Sequence, residues 1–226
     1  MNNVQHRSVL QYQLDMGLGY GYCKLLDFTS LDPWYGLVIK IYDFKSEKPI
    51  QDVKVLQDVE YLLNPLTLGW FPSLNDQCKW KIIGKLSRAD DSVCPVYKIE
   101  KESSSQNKSS KFATKNWCPI YNFSKKGTSC QYNQLAHLET LQLVTTQSII
   151  NRTTMEFLRK SGEKIENYYY EEENKATLED YHQAIQMPFY SNIPIEYRNK
   201  VIPTKELPAI KHIPSVALCL AAALSF

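Results

Sequence analysis

Leu18 to Asp27 reads LGYGYCKLLD, and the reading of this stretch decides the fold. Gly19 and Gly21 fall on one face of an extended segment and Tyr20 and Tyr22 on the other, because successive strand side chains point to opposite sides. Glycines inside a strand mark a bulge, a tight bend or a close approach to the backbone, and the tyrosines beside them can cover such a bend. Upstream, Leu10, Tyr12 and Leu14 alternate with Gln11 and Gln13 at the period of two expected of a strand. Downstream, Leu37 to Asp43 (LVIKIYD) is mostly apolar, and Val53 to Leu63 adds a second apolar stretch before Asn64 and Pro65 interrupt it. Trp70 and Phe71 precede Pro72, and Cys78 to Leu86 (CKWKIIGKL) places Trp80 and Ile82 on one face. Short strands broken by Pro, Asn and Asp at such intervals predict an α+β chain that is predominantly β: a small, strongly twisted barrel or sandwich with C-terminal helices. Trp80, Ile82, Tyr20, Tyr42 and Trp70 are its candidate core residues.

The composition agrees with this. The chain has 226 residues, 43% of them hydrophobic and 22% charged, which excludes a disordered or collagen-like chain. It holds 15 Tyr and only 8 Gly, a balance that favours pleated, half-buried surfaces over phosphate-cradling loops. The first residues, MNNVQHRSVLQYQLD, lack the apolar core of a secretory signal. The longest apolar run, Val216 to Leu224, is half the ~20 residues a membrane span needs. A cytoplasmic protein is expected, so Cys23, Cys78, Cys94, Cys118, Cys130 and Cys219 read as reduced thiols. No C-x-x-C pair and no spaced pair among His6, His137, His182 and His212 suggests zinc.

Beyond Ser87 the texture changes. Val93 to Ile99 and Trp117 to Phe123 resemble hairpin arms extended by the serine-rich loop ESSSQNKSSK, Glu102 to Lys111. Each arm carries a Cys-Pro pair, at Cys94-Pro95 and Cys118-Pro119, and proline in a strand argues for an edge or a bulge. Ser148 to Lys160 has Ile149, Ile150, Thr153, Phe157 and Leu158 on one helical stripe, with Arg159 and Lys160 in its last turn and Gly162 beyond as a cap. A second helix is expected to begin near Thr177, whose spacing to Asp180 is that of a capping box, and to end before Pro188. The chain therefore divides into a β-rich domain (1–130), a helical region packed on it (131–205) and a tail (206–226).

The formal charge of +2 conceals a separation. Lys79 to Lys126 carries 11 Lys/Arg against 4 Asp/Glu, whereas Met155 to Ile185 carries 8 acidic against 4 basic residues. Either run can be an ordinary solvated face. The acidic run, with Tyr168, Tyr169 and Tyr170 followed by Glu171, Glu172 and Glu173, also suits contact with a basic partner, because aromatic and complementary charged side chains are effective at interfaces. The basic middle, with Trp117 or Tyr121 as a stacking platform, offers a second reading, a nucleic-acid-binding module. Nucleic acid is the less favoured partner. No nucleophile, base and orienting group stand together; GLGYG lacks dinucleotide-site spacing, and three consecutive carboxylates splay apart rather than form a cation cage. An enzyme, a cofactor and a metal are not expected.

The order L-G-Y-G-Y-C-K-L-L (Leu18 to Leu26), G-L-V-I-K-I-Y-D (Gly36 to Asp43) and K-W-K-I-I-G (Lys79 to Gly84) resembles immunity protein family 26 of bacterial polymorphic toxin systems. Ile149 to Glu163, Tyr168 to Glu173 and Pro188 to Pro194 look like the C-terminal part of its longer members. The resemblance implies a mostly β protein of the bacterial cytoplasm that binds and sterically neutralises a cognate toxin, without catalysis or cofactor. That toxin is expected to be a nuclease or another nucleic-acid-modifying protein. Tyr168, Tyr169, Tyr170, Glu171, Glu172 and Glu173 are the expected contact residues.

Overall fold

The computed structural model describes residues 5–69, 80–101, 116–165 and 175–209. Its main sheet has six strands in the order β5-β1-β2-β3-β4-β9. These are β1 (Ser8–Gln13), β2 (Tyr20–Asp27), β3 (Leu37–Ser46), β4 (Leu66–Leu68), β5 (Trp80–Lys85) and β9 (Leu143–Val144). Antiparallel pairing joins β5, β1, β2, β3 and β4, and β9 closes the row parallel to β4. A second sheet contains β6 (Tyr97–Lys101), β7 (Asn116–Tyr121) and β8 (Lys125–Lys126).

The glycine-tyrosine stretch behaves as its residue types require. Gly21 lies under the Tyr12 ring, where a Cβ would come within 3.0 Å of ring carbon, and the β2–β3 register slips between Gly21 and Cys23. The slip is the bulge that glycine in a strand signals, and it bends the sheet at that point. Both sheet faces are covered. Leu10, Tyr12, Cys23, Leu25, Ile39 and Ile41 pack against α1 (Thr146–Lys160), whose Ile149, Ile150 and Phe157 join their cluster. On the opposite face Val9, Tyr22 and Tyr42 meet Leu56, Tyr61 and Leu86, while Leu26 and Val38 meet Tyr97, Ile120 and Phe123 from the small sheet. The result is three layers: helix, main sheet, then small sheet with short turns. Because both faces are buried, β1 is buried at five successive positions, Gln11 included, and polar–apolar alternation is only partly realised.

Three expectations are corrected here. The chain is α+β and mostly β, but the main sheet is open, ending at β5 on one side and β9 on the other, so no barrel closes. Val53–Leu63 supplies a short 3-10 turn, Val53–Leu56, and one bridge from Tyr61 to Tyr42 in place of a strand. Pro119 sits in β7, the middle strand of its sheet. Its carbonyl accepts from Gly127 N on the β8 side, so in antiparallel geometry its missing donor faces that short strand and leaves the β6 ladder intact. The second helix forms where it was expected, as α2 (Lys175–Gln186), beginning two residues from Thr177 and ending before Pro188, and the Asp180 carboxylate accepts from Asn151 Nδ2 of α1 at 3.0 Å.

The predicted first helix forms as read: the Thr145 side chain accepts from Ser148 N at its start, and Gly162, at φ 80°, follows its end. α1 is pinned to the sheet by a hydrogen bond between Tyr12 Oη and Thr153 Oγ1 of 2.8 Å. Met155 and Leu158 on its far side pack with Ala184, Tyr181 and Ile185 of α2. Among the described residues no helix is long and apolar enough to cross a membrane, and Cys23, Cys94, Cys118 and Cys130 are free thiols. Trp70, Cys78, Cys219, the serine-rich loop and the apolar run 216–224 lie outside the described residues.

Candidate interaction surface

The sheet face turned away from α1 carries two lysines where strands ordinarily place apolar groups. Lys24 of β2 is fully buried, and its Nζ lies 2.5 Å from Asp91 Oδ1. Asp91 is itself fully buried; its other oxygen accepts from Arg88 N at 2.7 Å and lies 3.4 Å from Arg7 Nε. Burial holds the Lys24 ammonium below the usual lysine range, partly offset by the adjacent carboxylate. One strand over, Lys40 Nζ donates to Asp90 Oδ2 at 2.6 Å and lies 5.1 Å from the Tyr61 ring centroid. The Asp90-Asp91 pair in the turn Ala89–Ser92 therefore answers two lysines projecting from adjacent strands.

Above this base opens a cleft of about 330 Å³, walled by Lys40, Tyr61, Arg88, Asp90, Tyr190 and Arg198. Lys40, Arg88 and Arg198 each have a partner within the fold. Arg88 Nη1 donates to Val59 O at 2.7 Å and its guanidinium stacks 4.9 Å from the Tyr61 ring. Arg198 donates to Glu60 Oε2 at 2.6 Å and covers the Tyr190 ring at 4.6 Å. Paired in this way, these charges can complement a partner at a rim. Among the described residues no three His, Cys, Asp or Glu side chains gather as a metal site.

A second polar cluster ties the helices to the chain before them. Arg152 donates to Glu139 Oε1 at 2.7 Å and to Gln183 of α2 at 2.9 Å, and Arg159 donates to Glu156 at 2.6 Å. Burial pushes the Glu156 carboxyl up, with the neighbouring arginines working against it. Lys98 is buried over the Tyr132 ring, and desolvation lowers its pKa to about 8. Thus Glu156 and Asp180 of the acidic run, and Lys98 of the basic middle, are interior residues rather than parts of a solvated face.

Tyr168 to Glu173 lie outside the described residues. Trp117 packs edge-on against Tyr132, with ring centroids 5.0 Å apart, so one of its flanks is occupied. Tyr42 is core; Trp80, Ile82 and Tyr20 are partly buried against the two clusters that cover the sheet. His137 is fully buried and its Nε2 lies 2.7 Å from Lys200 O and 3.0 Å from Tyr197 O. Two carbonyl acceptors require that nitrogen to carry the hydrogen, which makes His137 a clamp on the 193–202 segment. His182 stands beside the Tyr181 ring at 5.6 Å between centroids. The buried lysine pairs were missed from sequence, although lysine interrupting CKLL and LVIKI, with Asp90-Asp91 further on, is the trace they leave.

Residues 8–110 match the family model described as Immunity protein 26. The resemblance to immunity protein 26 stands on this stretch. It takes in β1 to β6, the buried Lys24 and Lys40 with their aspartates, and most of the cleft floor. The likeness expected of Ile149–Glu163, 168–173 and Pro188–Pro194 falls beyond the matched residues. Searches of curated proteins and of solved structures give no match.

Proposed function

We propose that the chain is an immunity protein of a bacterial polymorphic toxin system that acts in the cytoplasm by binding its cognate toxin and covering the toxin's working surface. The observation that carries this reading is the match of residues 8–110 to immunity protein 26. The internally paired charges of the cleft favour binding over catalysis, and no cofactor or metal enters the mechanism. The toxin is a nuclease or another nucleic-acid-modifying protein, whose basic substrate groove suits an acidic inhibitor surface. In this reading 1–130 forms the immunity-like domain, 131–205 supports it, and the Tyr168–Tyr170 and Glu171–Glu173 run contributes to the interface.

The test is survival of a bacterial host expressing the toxin encoded in the adjacent reading frame, with and without this chain. Protection by the full chain is the expected result; killing undiminished by abundant folded protein overturns the reading. Replacing Glu171, Glu172 and Glu173 together by Lys should weaken binding to that toxin at least tenfold with thermal stability unchanged. Unchanged affinity would remove this run from the interface.

A further inference from the structure

The loop joining β2 to β3 presents a large aromatic side chain to solvent on a backbone that is already fixed. Trp34 is 75% exposed and Leu31 53% exposed. Between them Asp32 turns its carboxylate back to the chain, where Oδ1 accepts from Trp34 N and Tyr35 N, each at 2.8 Å. Phe28 N donates to Gly36 O at 2.7 Å and Gly36 N to Asp32 O at 2.9 Å, closing the loop at its base. Gly36 is packed so tightly that a Cβ there would meet Asp32 O at 2.4 Å and Phe28 C at 2.5 Å. Phe28 is buried against Phe123 of the lower layer and roots the loop in the core. The ordering entropy that a mobile loop would lose on binding is therefore already spent in folding.

An exposed Trp contributes little to the core but is among the residue types most enriched at binding hot spots. The charge of the loop itself limits what it can meet. From Asp27 to Ile39 the chain has two carboxylates, Asp27 and Asp32, and no Lys or Arg. Neither forms a salt bridge among the described residues; Asp27 instead accepts from Thr29 N at 2.9 Å and Thr29 Oγ1 at 2.6 Å, bonds that favour its ionised form. An apolar tip in a loop that carries carboxylates and no Lys or Arg is complementary to an apolar slot bordered by Lys or Arg.

We propose that Leu31 and Trp34 are the anchor by which this protein engages its toxin, entering an apolar slot rimmed by cationic side chains whose charge is opposite to that of the Asp27 and Asp32 loop. This rests on the immunity reading and adds a contact site to it, within the segment that matches immunity protein 26. The probe is the purified toxin domain encoded in the adjacent reading frame, titrated into the full chain by calorimetry. Trp34→Ala should weaken binding about 30-fold or more, as expected of a central aromatic anchor, while leaving the melting temperature within a degree or two of wild type. Asp32→Ala, which frees the loop but keeps the indole, should weaken it less, and association of wild type should slow as salt is raised. Wild-type binding with Trp34→Ala unchanged overturns the anchor and leaves the immunity reading standing. Absence of wild-type binding overturns the immunity reading and the anchor with it. A wild-type chain that self-associates in sedimentation and becomes monomeric on Trp34→Ala assigns the tip to a second copy, which also overturns the proposal.

Discussion

Lys24 shows how one residue constrains the fold around it. An ammonium fully enclosed by β2 and its neighbours is tolerable only with a carboxylate in contact, and Asp91 supplies it at 2.5 Å. Removing one partner leaves the other charge buried and alone, which costs about 3–5 kcal/mol, whereas replacing both by apolar groups is often near neutral. Asp91→Asn should therefore lower unfolding free energy by about 3 kcal/mol or more in urea titrations. Adding Lys24→Met to that variant should restore part of the loss. A single Asp91→Asn change within about 1 kcal/mol of wild type would mean that the pair is not isolated from water. At this scale the sequence was only partly legible. Apolar alternation located Tyr42 and Ile82, but a lysine at a core position looks the same in a sequence whether it reaches solvent or a carboxylate some 67 positions away.

At the scale of elements, legibility followed the range of the forces involved. α1 was readable because its stripe and caps are local, although burial runs without a break from Ile149 to Leu158 because α2 covers the side turned from the sheet. α2 was readable to within two residues at its start, although Asp180, which has capping-box spacing, is engaged by Asn151 on the other helix. Pro119 was expected at an edge or a bulge, yet a strand tolerates it centrally when its missing donor faces only a two-residue neighbour. The connection between 131–137 and 193–202 is tertiary in origin. His137 donates to Lys200 O and Tyr197 O, and Gln134 exchanges backbone and side-chain hydrogen bonds with Ile202. Burial drives the His137 pKa down to about 4 from 6.5. The unfolded chain thus takes up this proton first as pH falls. The clamp's contribution is fully present above pH 6.5 and declines until about pH 4, a loss of up to about 3 kcal/mol. An imidazole titration of the native protein by NMR should show no His137 midpoint above 5. A midpoint near 6.5 would contradict the buried clamp.

Across the whole molecule, near-neutral total charge results from cancellation, as the sequence indicated, but the structure redistributes the parts. Lys98, Glu156 and Asp180 are taken into the interior, and Arg88 and Arg198 are paired around the cleft. What remains outward in the segment matching immunity protein 26 includes the acidic, tryptophan-tipped loop between β2 and β3. The sequence could not single out that loop, because Asp-Pro-Trp-Tyr reads equally well as a turn with its aromatics folded inward; burial of Phe28 and exposure of Trp34 are decided by the layer beneath. The account's central claim is neutralisation by stoichiometric contact. Its most direct test is titration of the adjacent-frame toxin's activity with the purified full chain. Activity should fall linearly and vanish at one equivalent, with the inhibitor recovered intact from the complex. Full toxin activity at several equivalents of folded protein, or inhibition by catalytic amounts of it, would contradict the account.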